Sequence, residues 1–244
     1  MISRRSGDKL KILLDAGHGY STAGKRSPDG MKEYEFTRVV ANFAKQFLES
    51  YQNVTVYFAH SDDRDVPLQE RTKKANQLKV DVYISIHANA YGSNWNDANG
   101  IETYIHPRHS QESAKLAQKM QRYLIISTGL KDRGVKTADF HVLRETTMPA
   151  VLIECGFYTN HNEAALLRSE TYRRTCADSI VRAIVDQYNL TRKTNNPETE
   201  PATPTTTDGL YKVQVGAFHE KKYADELVEA LKKLGYNPYV YFDK

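Results

Sequence analysis

The sequence predicts an α/β fold: a mostly parallel twisted sheet flanked by helices, followed by a small C-terminal α+β module of βαβ form. Three observations predict it. Short runs of aliphatic and β-branched residues alternate with longer segments whose apolar residues recur at helical spacing. The chain has 244 residues, enough for one sizeable core and a small second module. A Thr/Pro-rich stretch without apolar periodicity, TRKTNNPETEPATPTTT at 191–207, separates the two. The expected organisation is a domain at 1–190, a linker at 191–207 and a module at 208–244.

Taken in order, LKILLD at 10–15 is a buried strand, and the Gly-bearing STAGKRSPDG at 21–30 is a loop. EYEFTRVVANFAKQFLES at 33–50 is a helix, because Phe36, Val39, Val40, Phe43, Phe47 and Leu48 share one face. VTVYFA at 54–59 is a strand. PLQERTKKANQLK at 67–79 is a helix with Pro67 at its first position. DVYISIHANA at 81–90 is a strand, YGSNWNDANG at 91–100 a loop, and IETYIH at 101–106 a short strand. SQESAKLAQKMQRYLIIST at 110–128 is a helix capped by Ser110. PAVLIECGF at 149–157 is the fifth strand. Residues 162–190 form one or two helices, with a break near Ser169–Tyr172. Beyond the linker, GLYKVQVGAF, KKYADELVEALKKLGY and NPYVYF read as strand, helix and strand, the helix closing at Gly235.

Composition narrows the function. The net charge of +4 comes from Lys and Arg interspersed with 30 acidic residues, without the dense basic block of a nucleic-acid binder. No segment approaches the roughly 20 apolar residues of a membrane span. LKILL is too short for the apolar region of a secretory signal peptide, so a role outside the cell requires release by lysis, a phage holin or another route. Cys155 and Cys176 make no disulfide framework and read as reduced core residues.

Three strands end in chemistry-bearing residues: His18 just past the first, His87 in SIHAN on the third, and Glu154 in LIECGF on the fifth. Ligands of open parallel sheets bind beyond the carboxyl ends of the strands. Glu33 opens the helix after the first strand and can reach the same edge. Each residue alone has an ordinary role: His18 as a turn residue, His87 as a core histidine, Glu33 as a complement to the helix dipole. Glu154 is costly to bury directly after VLI unless it is paired. Jointly, two histidines and a glutamate make a catalytic Zn²⁺ ligand set, with a second glutamate free as base. His60, His106, His109, His141, His161 and His219 are read as surface residues.

LDAGHG, the Glu33 helix, LQERTKKANQLKVDVYISIHANA, GIETYIH and MPAVLIECGFYTN, in that order, resemble the zinc-dependent N-acetylmuramoyl-L-alanine amidases of the Amidase_3 type over about residues 9–190. The resemblance implies an α/β sheet flanked by helices and cleavage of the amide between the lactyl group of N-acetylmuramic acid and L-alanine. It implies His18, Glu33 and His87 as Zn²⁺ ligands and Glu154 as the catalytic carboxylate. Glu35 lies two residues from Glu33 and points to a different side of the helix, so only one reaches the metal. Tyr20 stands where a further glycine is common, and Cys155 where an aliphatic residue is frequent. Asp15 is either a turn residue or, like Asn89, a group that orients ligands or substrate. Arg144 and Glu102 are groove residues or ordinary ion-paired side chains.

Residues 208–244 are similar to the first half of a SPOR domain, a module that binds peptidoglycan glycan strands. The half-length module is a truncation, a structural appendage, or a reduced module that covers its apolar sheet face by self-association with another copy. The leading expectation is a peptidoglycan hydrolase acting at the bacterial cell wall, an autolysin or phage endolysin. The alternatives are a zinc peptidase acting on the stem peptide and a noncatalytic wall-binding protein. Small residues around His18 are expected to let the backbone turn tightly.

Overall fold

Side-chain alternation along the strands decides the layers. The computed structural model describes residues 9–22, 24–193 and 221–233 with positions 238 and 240, and the chain divides into two units, Met1–Thr194 and Asn195–Lys244. The first unit holds strands β1 (Leu10–Ala16), β2 (Val54–Phe58), β3 (Val82–Asn89), β4 (Ile101–Ile105), β5 (Asp132–Thr137) and β6 (Ala150–Phe157). Its helices are α1 (Glu33–Leu48), α2 (Leu68–Leu78), α3 (Gln111–Thr128), α4 (His141–Arg144), α5 (His161–Arg168) and α6 (Glu170–Tyr188). The sheet order is β2-β1-β3-β6-β4-β5. β2, β1, β3 and β6 run parallel, whereas β4 is antiparallel to β6 and carries β5 parallel to itself.

One face of the sheet presents Ile12, Leu14, Ile84, Ile86, Val151 and Ile153 to a large core shared with α1, α3 and α6. The opposite face presents Leu13, Tyr83, Ala150 and Leu152 to a smaller cluster with Ala75 of α2 and Val142 and Leu143 of α4. A two-residue period then places Asp15, Ser85, His87, Glu154 and Glu102 on this second face. Apolar packing on this face ends at Leu13, Tyr83 and Leu152, before the carboxyl ends of β1, β3 and β6.

Several expectations are refined. β5 (DRGVKT) was not anticipated, because an edge strand carrying three charges in six residues lacks an apolar run. Glu154 therefore lies on the sixth strand in sequence, not the fifth. Pro67 is the residue before α2 rather than its first residue. The helix break falls at Ser169, whose hydroxyl accepts from Tyr172 N–H and caps α6. Cys155 and Cys176 are buried free thiols. After α6, Gln52 N–H donates to the Thr191 carbonyl at 2.8 Å and Lys193 N–H to the Ser50 carbonyl at 2.8 Å, with Tyr51 and Arg192 forming an antiparallel bridge. This clasp lies just before β2, an edge strand of the sheet.

In the second unit, α7 (Lys221–Lys233) matches the expected helix. The two expected strands, 209–218 and 237–242, lie outside the described residues, apart from positions 238 and 240, as does the face proposed for pairing.

His60 corrects the surface reading. It is buried at 8% exposure just after β2, packs 4.5 Å from the Phe58 ring centroid, and its Nδ1 accepts from Ala16 N–H at 3.3 Å. Burial pushes its pKa down to about 4. The unfolded chain thus takes up this proton near pH 6.5 while the folded chain refuses it. The stabilisation is full above pH 6.5 and is lost as pH falls toward 4, by about 3 kcal/mol in all. Urea unfolding at pH 7 and pH 4.5 checks this: His60→Asn loses less stability than wild type between the two, and equal losses exclude the assignment.

Candidate metal centre and active site

The turn after β1 is built by close approach. Gly17 N–H donates to the Ile86 carbonyl at 2.9 Å, carrying the backbone along β3. A Cβ on Gly17 would lie 2.3 Å from His87 Cε1, and one on Gly24 would lie 2.7 Å from His18 Cγ. Neither glycine needs a left-handed backbone; His18 itself adopts it, at φ 63°. The small residues thus supply room, and the histidine carries the strain. Arg71 of α2 holds that conformation, donating to the Ala16 carbonyl at 2.6 Å and the His18 carbonyl at 2.5 Å, while Thr37 Oγ1 donates to the Gly17 carbonyl at 3.0 Å.

Beneath the turn lies a buried charge pair. Arg71 Nη1 donates to Asp15 Oδ1 at 2.6 Å, and both side chains are nearly inaccessible. Asp15 Oδ2 accepts from Tyr83 OH and Ser85 Oγ, each at 2.8 Å. Burial raises the Asp15 pKa, but Arg71, His87 and these hydroxyls outweigh it and hold the carboxyl below its usual range. Asp15 is therefore a β1 residue in a hydrogen-bonded line, not a turn residue. The line continues from Ser85 Oγ to His87 Nε2 at 3.1 Å.

Above it, three donor groups converge. His87 Nδ1 lies 2.9 Å from Glu33 Oε1, and His18 Nε2 lies 3.3 Å from Glu33 Oε2. One ligand atom from each of the three side chains lies within 4.8 Å of the others. Glu33 is 2% exposed at the first turn of α1 and also accepts from Lys25 N–H at 2.9 Å and Ala88 N–H at 3.2 Å. Glu35 is exposed and accepts from Lys32 N–H at 3.0 Å, outside the cluster. Burial pulls the His18 pKa down. Burial acts the same way on His87, but the Glu33 carboxylate overrides it and lifts His87 to about 9. Two imidazoles and one carboxylate at this spacing are the donor set of a divalent transition-metal site, and they fit Zn²⁺.

Glu154 of β6 stands beside His87 in register, and Glu102 of β4 stands on its other side. Glu154 Oε2 is buried without a hydrogen-bond partner among the described residues. Burial raises its pKa, His87 opposes, and Glu33 and Glu102 add to the rise, giving about 8. Glu102 is the opposite case. Burial raises it, but Lys136, Arg133 and Tyr104 hold it below the ordinary carboxylate value. Asn89 Nδ2 donates to Glu102 Oε1 at 2.8 Å, so Asn89 is tied to that carboxylate. Arg144 is ion-paired at the surface with Asp139 and Glu145. Tyr20 is 47% exposed and meets Tyr34 edge-on.

Sequence reasoning missed Arg71, Ser85, Arg133 and Lys136. Two of them carried a signal. Arg71 shares the inward face of α2 with Ala75, four residues on. Ser85, His87 and Asn89 form a polar stripe through an otherwise apolar strand.

Residues 12–186 match the family model described as N-acetylmuramoyl-L-alanine amidase, Amidase_3, and residues 189–244 match the SPOR domain. The N-acetylmuramoyl-L-alanine amidase CwlM of Bacillus licheniformis is 34% identical over 234 residues, covering 96% of this chain and 85% of that one. The sporulation-specific N-acetylmuramoyl-L-alanine amidase of Bacillus subtilis is 32% identical over 232 residues, covering 95% and 84%. Among solved structures, the catalytic domain of CwlV from Bacillus (Paenibacillus) polymyxa var. colistinus superposes with a TM-score of 0.69 at 36% identity, covering 75% of this chain and 99% of that one.

Proposed function

The chain belongs to the N-acetylmuramoyl-L-alanine amidase family, and we propose that it hydrolyses peptidoglycan with a zinc ion held by His18, Glu33 and His87 and with Glu154 as the acid–base carboxylate. One observation carries this reading: three converging side chains that could hold a metal stand beside a buried carboxylate whose Oε2 has no partner among the described residues. When bound, zinc acidifies water and polarises the lactyl carbonyl.

The protein's own groups do the rest. Glu154 takes the proton of the attacking water and returns it to the nitrogen of L-alanine as the amide breaks. Its burial favours holding that proton between the two steps. Asp15, through Ser85, fixes the His87 ring, and Arg71 fixes the carbonyls around His18, so the ligands are oriented before metal binds. The stretch matching the SPOR domain adds wall binding, which keeps the catalytic unit on an insoluble polymer.

Zinc content and amine release, measured together on the full chain with purified peptidoglycan, test the proposal. About one zinc per chain is expected, with activity lost on chelation and restored by zinc. The amine freed is that of L-alanine. Full activity without metal overturns the zinc reading. New amines elsewhere in the stem make the protein a peptidase.

A further inference from the structure

β5 takes no part in the acid–base chemistry, yet two of its side chains reach the carboxylate beside Glu154. Arg133 Nε donates to Glu102 Oε2 at 2.7 Å, and Lys136 Nζ donates to the same oxygen. Glu102 Oε1 is already satisfied by Asn89 Nδ2 and Tyr104 OH, each at 2.8 Å. One cation would neutralise Glu102, so the second is surplus to pairing. Arg133 is fixed further: Nη1 donates to the Asn99 carbonyl at 3.3 Å, and the guanidinium carbon lies 4.9 Å from the Phe157 ring centroid. Its Nη2 makes no hydrogen bond among the described residues. The Arg133 and Lys136 side chains are 29% and 38% exposed, so both are open to solvent while their ends are held.

Sheet order supplies the direction. If Glu154 returns its proton to the leaving nitrogen, the scissile amide lies between Glu154 and the His18–Glu33–His87 cluster. That cluster belongs to the β1 and β3 side, and β4 and β5 lie on the other. The peptide leaving with the nitrogen then runs toward β5. Resting on that reading of Glu154, we infer that Arg133 and Lys136 bind a carboxylate of the stem peptide on the leaving-group side of the scissile amide. Peptide stems carry free carboxylates beyond L-alanine, and a guanidinium with an idle N–H beside an ammonium matches such a group.

The test compares initial rates of amine release from peptidoglycan before and after its carboxyls are converted to amides with carbodiimide and ammonia. At sub-saturating substrate, wild type is expected to cleave untreated wall about tenfold faster than amidated wall, as befits one charge-assisted contact. Lys136→Met brings the two rates within about twofold, and the loss falls on KM rather than kcat, as for uniform binding. Lys136→Arg keeps the preference. Lys115→Met, on the exposed side of α3, controls for the general attraction of a basic chain to an anionic wall. Equal wild-type rates on the two walls overturn the inference and leave the amidase reading intact. Erosion of the preference by Lys115→Met as strong as by Lys136→Met overturns it too. No amine from either wall overturns the proposed function, and the inference with it.

Discussion

Glu154→Gln lowers amine release by roughly 10²–10⁴-fold while bound zinc stays the same. The amide keeps the size and shape of the carboxyl but cannot accept water's proton. Among the described residues Glu154 Oε2 is buried without a partner, so none of them gives it another task. Stability offers an independent check on the metal-free protein. With its pKa raised to about 8, the Glu154 carboxyl contributes most below its unfolded value of 4.5, and that contribution is lost as pH rises through 8. The variant escapes this loss, so it gains on wild type between those limits. A variant that loses zinc together with activity makes Glu154 a support of the metal site. A fall in rate below tenfold means that another group moves the proton.

Arg71→Met gives the largest expected loss of stability, about 3–5 kcal/mol. It leaves Asp15 charged and 1% exposed. It also strips donors from the carbonyls of Ala16, His18 and Val66. For a domain of this size the melting temperature falls by roughly 6–20 °C. Adding Asp15→Asn recovers part of the loss, because the buried charge is gone and the two changes share one network. Zinc affinity weakens in Arg71→Met, since the left-handed His18 backbone depends on that guanidinium. A cost under about 1 kcal/mol would place Arg71 among ordinary surface ion pairs.

The parts of this molecule legible in its sequence are those that hydrophobic periodicity writes. LKILL, VYISI and AVLI alternate or run apolar because both faces of the inner strands are covered. Their ends drew attention to His18, His87 and Glu154 because polar residues follow apolar runs there. Glu33 was found by proximity to a helix start, where its competitor Glu35 looks similar in sequence; only the backbone shows one buried and the other turned to Lys32. β5 was invisible because its side chains serve charge pairing, and DRGVKT has no periodic apolar face. His60 misled because a buried neutral imidazole and a surface one leave the same trace in a loop. The turn at His18 does need small residues, and tertiary contact gives the reason. Glycines there are spacers for neighbouring rings, a fact of tertiary distance that sequence order does not encode.

The clasp at 191–193 bears on how the catalytic unit is cut out or re-equipped. Periodicity alone sets the boundary at Leu190, where α6 runs out of apolar residues. A fragment ending there loses the acceptor of Gln52 N–H and the donor to the Ser50 carbonyl, and uncovers backbone at the entrance to an edge strand. Bare edge backbone invites strand addition and precipitation. An excised or chimeric lytic domain keeps the backbone leading into β2 paired when the chain runs through Lys193 before any new targeting segment is joined.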